Sequence, residues 1–271
     1  MDRYDASRVQ LIDPIGGGGT STVWRAWDPA TRRFVAAKVS SVAQAAPREP
    51  AAGLVHPHLV TGCVGSGPWP TQPLVRGGTA ELLLAEHGAL PADYVAVLLD
   101  QLLQALAAVH AAGLVHRDVK PANLLLEPTG TGRPHLRLAD FGVAVPVGAG
   151  VVPAGTDGYL APDAAAGAPA DPRHDLYAAG ITAVDLLTGR VPRDDRDVPR
   201  GPLRALLRGL TDPDPPSRPA TAELARARLH ALGVPRGAPW RARPHPPDIP
   251  DRLRPLSIVQ RWVAQGVSAA Q

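Results

Sequence analysis

His116-Arg117-Asp118-Val119-Lys120-Pro121-Ala122-Asn123, running directly into Leu124-Leu125-Leu126, is the stretch that decides how this 271-residue chain is read. A carboxylate at 118 can accept the proton of a substrate hydroxyl or orient that hydroxyl. A lysine two residues on can neutralise charge on a transferring phosphoryl group. An asparagine five residues after the carboxylate can ligate Mg2+. The competing reading is a loop with a salt bridge and a turn at Pro121. Six specified residue types at fixed spacing argue against that reading.

Working downstream, Asp140-Phe141-Gly142 follows a short hairpin pattern (Leu124–Leu126, then Leu136–Leu138). A carboxylate at a strand end beside glycine suits a metal ligand. Upstream, Ile15-Gly16-Gly17-Gly18-Gly19-Thr20-Ser21-Thr22-Val23 lies between two strand-like runs. Glycines let backbone amides approach phosphate oxygens, although a plain Gly-rich turn gives the same pattern. The Gly-Lys-Ser/Thr ending of a P-loop is absent. Val35-Ala36-Ala37-Lys38 reads as a strand, and its alternation puts Ala36 and Lys38 on one face. Of the 28 Lys and Arg residues only Lys38 and Lys120 are lysines, and both fall in these motifs.

The bulk properties set bounds. Hydrophobic residues make up 45% of the chain, enough for a core. The net charge of +3 is spread among acidic residues, and the densest basic stretch is Trp240-Arg241-Ala242-Arg243. That pattern suits a solvated basic surface, so no nucleic-acid partner is expected. Cys63 is the single cysteine, which excludes an intrachain disulfide and fits a reduced cytoplasmic setting. No secretory signal or uninterrupted apolar span is visible. The apolar region 94–115 carries Asp100, Gln101, Gln104 and His110, and reads as a buried helix.

Strand-like runs at 9–15, 22–28 and 34–40 precede helical periodicity from Ala92 onward, with further helices expected over 175–188, 203–210 and 221–232. Strands first and helices second predict an α+β chain in two lobes: a small β-rich N-lobe and a larger helical C-lobe. From Pro235 the chain becomes rich in proline and arginine.

On the motifs just quoted the chain resembles the eukaryotic-type (Hanks-type) bacterial serine/threonine protein kinases, over roughly residues 4–233. Gly155-Thr156 with Ala161-Pro162-Asp163, Asp175-Leu176-Tyr177 and Pro216-Ser217-Arg218-Pro219 match later family motifs. The resemblance implies a two-lobed protein-kinase-like fold, with an N-lobe of about 4–75, a C-lobe of about 76–233 and a tail at 234–271. It implies ATP and Mg2+ (or Mn2+) as cofactors and protein substrates bearing Ser or Thr. By the same resemblance Ile15, Gly16, Gly18 and Ser21 belong to the ATP-covering loop. Val23 and Ala36 flank adenine, Lys38 holds the α- and β-phosphates, and Val75 donates a main-chain bond to adenine. Asp118 is the catalytic base, Lys120 contacts the γ-phosphate, Asn123 and Asp140 bind the metal, and Arg218 pairs with Asp163.

Departures from the family pattern keep other readings open. The segment 38–56 is short, and its single acidic residue, Glu49, the expected partner of Lys38, lies between Pro47 and Pro50. Proline inside a helix costs about 3 kcal/mol, so the regulatory helix is expected to be stunted or absent. With Gln72 aligned as gatekeeper, the strand before the hinge looks damaged, since Pro70 and Pro73 each lack the N–H that a central strand needs. A substrate-docking helix is expected to be missing from the short Pro/Arg/Asp-rich region 193–203. The tail at 234–271 is expected to act as a linker or docking segment. Two alternatives stand beside an active kinase. One is a pseudokinase that binds nucleotide or a partner without turnover. The other is a small-molecule phosphotransferase of the antibiotic-modifying kind, against which Arg117, Lys120 and Ala161-Pro162-Asp163 argue.

Overall fold

The structure is a computed structural model that describes residues 9–18, 21–40, 50–51, 53–62, 69–150, 154–193, 197–233, 249–257 and 260. Glu49, the residues 194–196 and most of the tail at 234–271 lie outside the described residues.

The N-terminal part is an antiparallel sheet of β1 (Gln10–Gly18), β2 (Ser21–Asp28), β3 (Arg33–Ser40) and β4 (Thr71–Pro73), in that order. β1 continues through the glycines, beyond the expected end at Ile15. Gly16, Gly17 and Gly18 pair with Val23, Thr22 and Ser21, so the Gly-rich motif is the closing end of a hairpin. Two register slips in β1, between Leu11 and Asp13 and between Pro14 and Gly16, accommodate Pro14. Among the described residues β4 is an edge strand. Gln72 pairs with Ala36, and the Pro70 carbonyl accepts the Lys38 N–H at 3.1 Å. The strand is only three residues long, with Pro70 just outside it and Pro73 as its last residue, and at an edge a proline need not break a ladder bond. Val9, Ala26 and Ala37 form a small core here, with Leu11, Val35 and Trp69 against it.

The larger lobe is built on α2 (Ala92–Ala111) and α4 (Pro172–Thr188). α2 buries Tyr94, Leu98, Leu102, Leu103 and Leu106. Each such Leu contributes about 2 kcal/mol by leaving water. Among the described residues α2 is the helix long and apolar enough to cross a membrane, but 67% of that stretch is buried inside the protein, which makes it a core helix. α4 starts with a capping box in which Asp171 and His174 exchange bonds with each other's backbone N–H, and it ends at Gly189 in the left-handed conformation (φ 73°). α5 (Arg204–Leu210) and α6 (Ala222–Ala231, capped by Thr221) complete the packing. Two helices were not anticipated from the sequence: α1 (Ala80–His87), N-capped by Thr79, and the single turn α3 (Pro162–Ala165). Both are too short for a periodic signal. No α-helix occurs among the described residues between Arg193 and Leu203.

Short ladders carry the loops between the helices. β5 (Leu114–Val115) pairs with β8 (Val145–Pro146), and β6 (Leu124–Leu126) pairs with β7 (Leu136–Leu138). The two hairpin arms predicted around residue 130 are these last two strands.

α4 and α5 meet at a glycine. A Cβ on Gly180 would stand 2.8 Å from the Leu210 Cβ and 2.8 Å from the Thr211 Cγ2. Gly180→Val should therefore destabilise the chain by about 2 kcal/mol or more, because overpacking a close helix contact forces backbone shifts. Urea unfolding measures this, and an unchanged midpoint would contradict the packing described.

Candidate active site

The loop between β5 and β6 carries the motif residues, and a carboxylate from another element shapes it. Asp175 lies in the first turn of α4 and is fully buried. Its Oδ2 accepts the His116 N–H at 2.8 Å and its Oδ1 accepts the Arg117 N–H at 2.8 Å. His110 donates from Nε2 to Oδ2 at 2.8 Å. Burial alone would push the Asp175 pKa up, but the bond from His110 and the neighbouring donors outweigh it and hold it below the usual carboxylate range. With its two amides anchored, Arg117 adopts a positive φ of 71°. Non-glycine residues hold this conformation only where the surroundings impose it.

His116 is the floor of the loop. Its Nε2–H donates to the Ala139 carbonyl at 3.1 Å, and its Nδ1 accepts the Asp118 N–H at 3.2 Å. The ring also packs edge-on against Phe141, with centroids 4.7 Å apart. This pair of bonds fixes one neutral tautomer, and burial pushes the imidazole pKa down. Thus His116 ties the loop bearing Asp118 to the Asp140-Phe141-Gly142 segment.

Four polar side chains then converge. Asp118 accepts from Thr156 Oγ1 at 2.8 Å on one oxygen. Its other oxygen faces Asn123 Nδ2 at 2.9 Å and Lys120 Nζ at 2.9 Å. Lys120 also reaches Thr156 Oγ1 at 2.6 Å. Burial would raise the Asp118 pKa, but bonds from Lys120, Thr156 and Asn123 reverse the shift, so Asp118 is held ionised. Asn123 spends its amide hydrogens on Asp118, including the backbone carbonyl at 2.7 Å. Its Oδ1 is thereby the atom left for a cation.

A second cluster spans the lobes. Lys38 Nζ on β3 pairs with Asp140 Oδ1 at 2.9 Å. Asp140 also has a positive φ, 66°. Strand register puts Val23 opposite both Lys38 and Gly16, so Gly16, Val23, Ala36 and Lys38 share one face of the sheet. Ile15 and Ser21 are half-buried on the same hairpin, Gly18 sits at its closing end, and Val75 is half-buried in the connection from β4 to α1. The expected partner Glu49 falls outside the described residues, and the lysine's carboxylate contact is with Asp140. Arg218 reaches Asp163 at 2.8 Å as expected, with His174 Nε2 on the other Asp163 oxygen at 2.8 Å.

Three features escaped the sequence reading. Thr156, read from the sequence only as part of a later family motif, bonds Asp118 and Lys120 directly. The anchoring role of Asp175 was not read, although an Asp in a run that is otherwise mostly apolar was the available signal. The buried Arg25–Asp13 fork, with both bonds at 2.6 Å, also went unread. It lies on the face shared by Ala36 and Lys38, because Ala36 pairs with Arg25 and Arg25 with Asp13.

A small sheet lobe, a helical lobe and a lysine–aspartate pair between them, beside a second ordered aspartate, define a protein kinase. Residues 71–201 match the family model for the protein kinase domain. The chain is 37% identical over 225 residues to the serine/threonine-protein kinase PknL of Mycobacterium bovis, covering 72% of this chain and 55% of that protein. It is 33% identical over 277 residues to PkaA of Streptomyces coelicolor, covering 84% and 51%. It is 31% identical over 238 residues to PknA of Mycobacterium tuberculosis, covering 79% and 53%. The chain belongs to the Hanks-type bacterial serine/threonine protein kinase family, and it spans about half the length of these curated relatives.

Asp175→Asn keeps the shape but replaces one acceptor oxygen by a donor facing backbone N–H groups. It should cost about 3 kcal/mol, as for other broken buried charge contacts, read as a lower midpoint in chemical denaturation. Because the native pKa is depressed, the wild-type contribution is complete above the ordinary carboxylate value of 3.8 and is lost as pH falls below it. The difference between wild type and Asp175→Asn should therefore shrink in acid. A pH-independent difference would contradict this assignment.

Proposed function

We propose that this chain transfers the γ-phosphoryl group of ATP to serine or threonine hydroxyls of protein substrates, with Asp118 as the catalytic aspartate. The observation that carries this reading is the Asp118 carboxylate, held ionised between Lys120, Asn123 and Thr156. A carboxylate with a depressed pKa is a weak base. It suits orienting the attacking hydroxyl and accepting its proton late, as a loose phosphoryl-transfer transition state requires. Lys120 stands beside it as the positive charge for the moving phosphoryl group.

The residues present fit ATP and a divalent cation. A Cβ on Gly16 would meet nothing within 4 Å, so no neighbour in the fold demands glycine there, whereas close approach of a phosphate would. Val23 and Ala36 offer apolar surface on the lysine's face, and the Val75 main chain lies in the hinge. Asp140 spends Oδ1 on Lys38 and keeps Oδ2 for a cation, alongside the Asn123 Oδ1. Among the described residues no group of three or more His, Cys, Asp or Glu could hold a metal on its own. That fits a cation shared with nucleotide phosphates. Bound ATP with Mg2+ would supply the transferable group and the neutralising charge.

Regulation follows from the activation segment. Residues 143–155 contain no Ser, Thr or Tyr. The Arg117 guanidinium instead contacts the Val143 carbonyl at 3.4 Å. On this reading the competent arrangement does not depend on a phosphate group in this segment.

Asp118→Asn should lower phosphorylation of a protein substrate at least about 100-fold, the scale of a lost general base. ATP binding should be retained. Equal activity in both proteins would overturn the enzyme reading in favour of a pseudokinase. Phosphatase treatment of the purified wild-type chain should leave its rate unchanged. Stoichiometric phosphate mapped within 143–156 of the active protein would overturn phosphorylation-independent activity.

A further inference from the structure

Residues 249–257 lie against the connection between the lobes and bind it at several points. The Arg252 N–H donates to the Arg76 carbonyl at 2.9 Å, and its Nε–H donates to the Gly77 carbonyl at 2.9 Å. The same guanidinium forks onto Glu86 of α1 at 2.6 and 2.5 Å. Arg76 pairs in turn with Asp251. Ile249 is buried, 7% exposed. The glycines of the connection are matched to this segment. A Cβ on Gly77 would collide with Ile249 and with the Leu126 carbonyl, and one on Gly78 would stand 2.7 Å from the Arg252 Cδ. Gly78 moreover has φ 82°. Two residues beyond Arg252, the Arg254 carbonyl accepts from Arg25 Nη1 at 2.9 Å. Arg25 is the buried arginine of β2, 4% exposed and forked onto Asp13.

One short segment therefore touches a strand of the small lobe, the hinge and a helix of the large lobe. Its bonds go to the carbonyls of Arg76 and Gly77, directly after Val75, while among the described residues none of them goes to the Val75 amide or carbonyl. We propose that this segment, through Arg252, is a positioning element for the nucleotide: it fixes the hinge peptides next to Val75 and the angle between the lobes. This rests on the nucleotide-binding reading above. Docking of the segment and binding of ATP are then coupled, and linkage makes the coupling reciprocal. The described part of the tail is thus engaged with the chain's own hinge.

Titration calorimetry of the full chain with ATP and Mg2+ tests the proposal. Arg252→Ala should weaken ATP binding about tenfold, the scale of one or two lost hydrogen bonds. Glu86→Gln, which leaves the hinge bonds in place, should change it less than about threefold, as expected for a solvent-exposed pair. Arg252→Lys, a single charge that cannot reproduce the fork, should fall between. Wild-type affinity in Arg252→Ala, with ATP bound normally by the wild type, would overturn the strap. Absence of ATP binding in the wild type would instead sink the nucleotide reading beneath it. Hydrogen exchange on the wild-type chain needs no variant. The Arg252 amide should exchange more slowly with ATP and Mg2+ bound, and identical exchange at saturating ATP would overturn the proposal.

Discussion

Asp175 is a carboxylate with no exposed surface, yet it stays below the normal carboxylate pKa range. Taking such a charge out of water costs several kcal/mol. The cost is offset only because three donors meet it: the backbone N–H groups of His116 and Arg117 and the His110 ring. Those donors come from the end of α2 and from the catalytic loop, whereas Asp175 comes from α4. One interaction therefore welds the two largest helices of the lobe to the loop that carries Asp118. The positive φ of Arg117 is stable only under this constraint. If Asp175 lets go, the loop loses the geometry that places Asp118, Lys120 and Asn123 together.

From that anchor the chemistry divides between two aspartates. Asp118 is partly buried and crowded by donors, which keeps it charged and oriented. Asp140 is more open and answers to Lys38 across the lobes. His116 connects the two, since its ring bonds the Asp118 amide on one side and the Ala139 carbonyl on the other. On the proposed function, a rigid link between Asp118, set to meet a hydroxyl, and Asp140, set to meet a cation, is what in-line transfer would need, because small misplacements are costly in rate. The lobe carrying Lys38 must still be held at the right angle to Asp140. The segment 249–257 spans the lobes at the hinge and supplies a constraint of that kind.

Much of this was legible in the sequence, for an identifiable reason. Asp118, Lys120 and Asn123 lie within one loop, so their spacing is nearly their geometry. The order of strands and helices followed from periodicity, and α2, α4 and the hairpin arms fell close to where their patterns put them. What stayed hidden depends on contacts distant in sequence. Asp175 meets Arg117 across 58 positions, and Arg25 meets Arg254 across 229. No local pattern announces such pairs. The cost of Pro70 and Pro73 could not be read locally, because it depends on whether a strand is central or at an edge, which is a property of the sheet order. The contacts of Thr156 stayed unread because a hydroxyl's partner is not written in its neighbours.

On the proposed function, the ordered Asp118 cluster performs phosphoryl transfer to Ser or Thr without a phosphate on the activation segment. Incubation of the purified chain with γ-labelled ATP and Mg2+, followed by phosphoamino-acid analysis and site mapping, tests it most directly. The account predicts label on phosphoserine or phosphothreonine, with no stoichiometric label at Thr156, the one hydroxyl within residues 143–156. Label on tyrosine alone, or no transfer while ATP is bound, would contradict it.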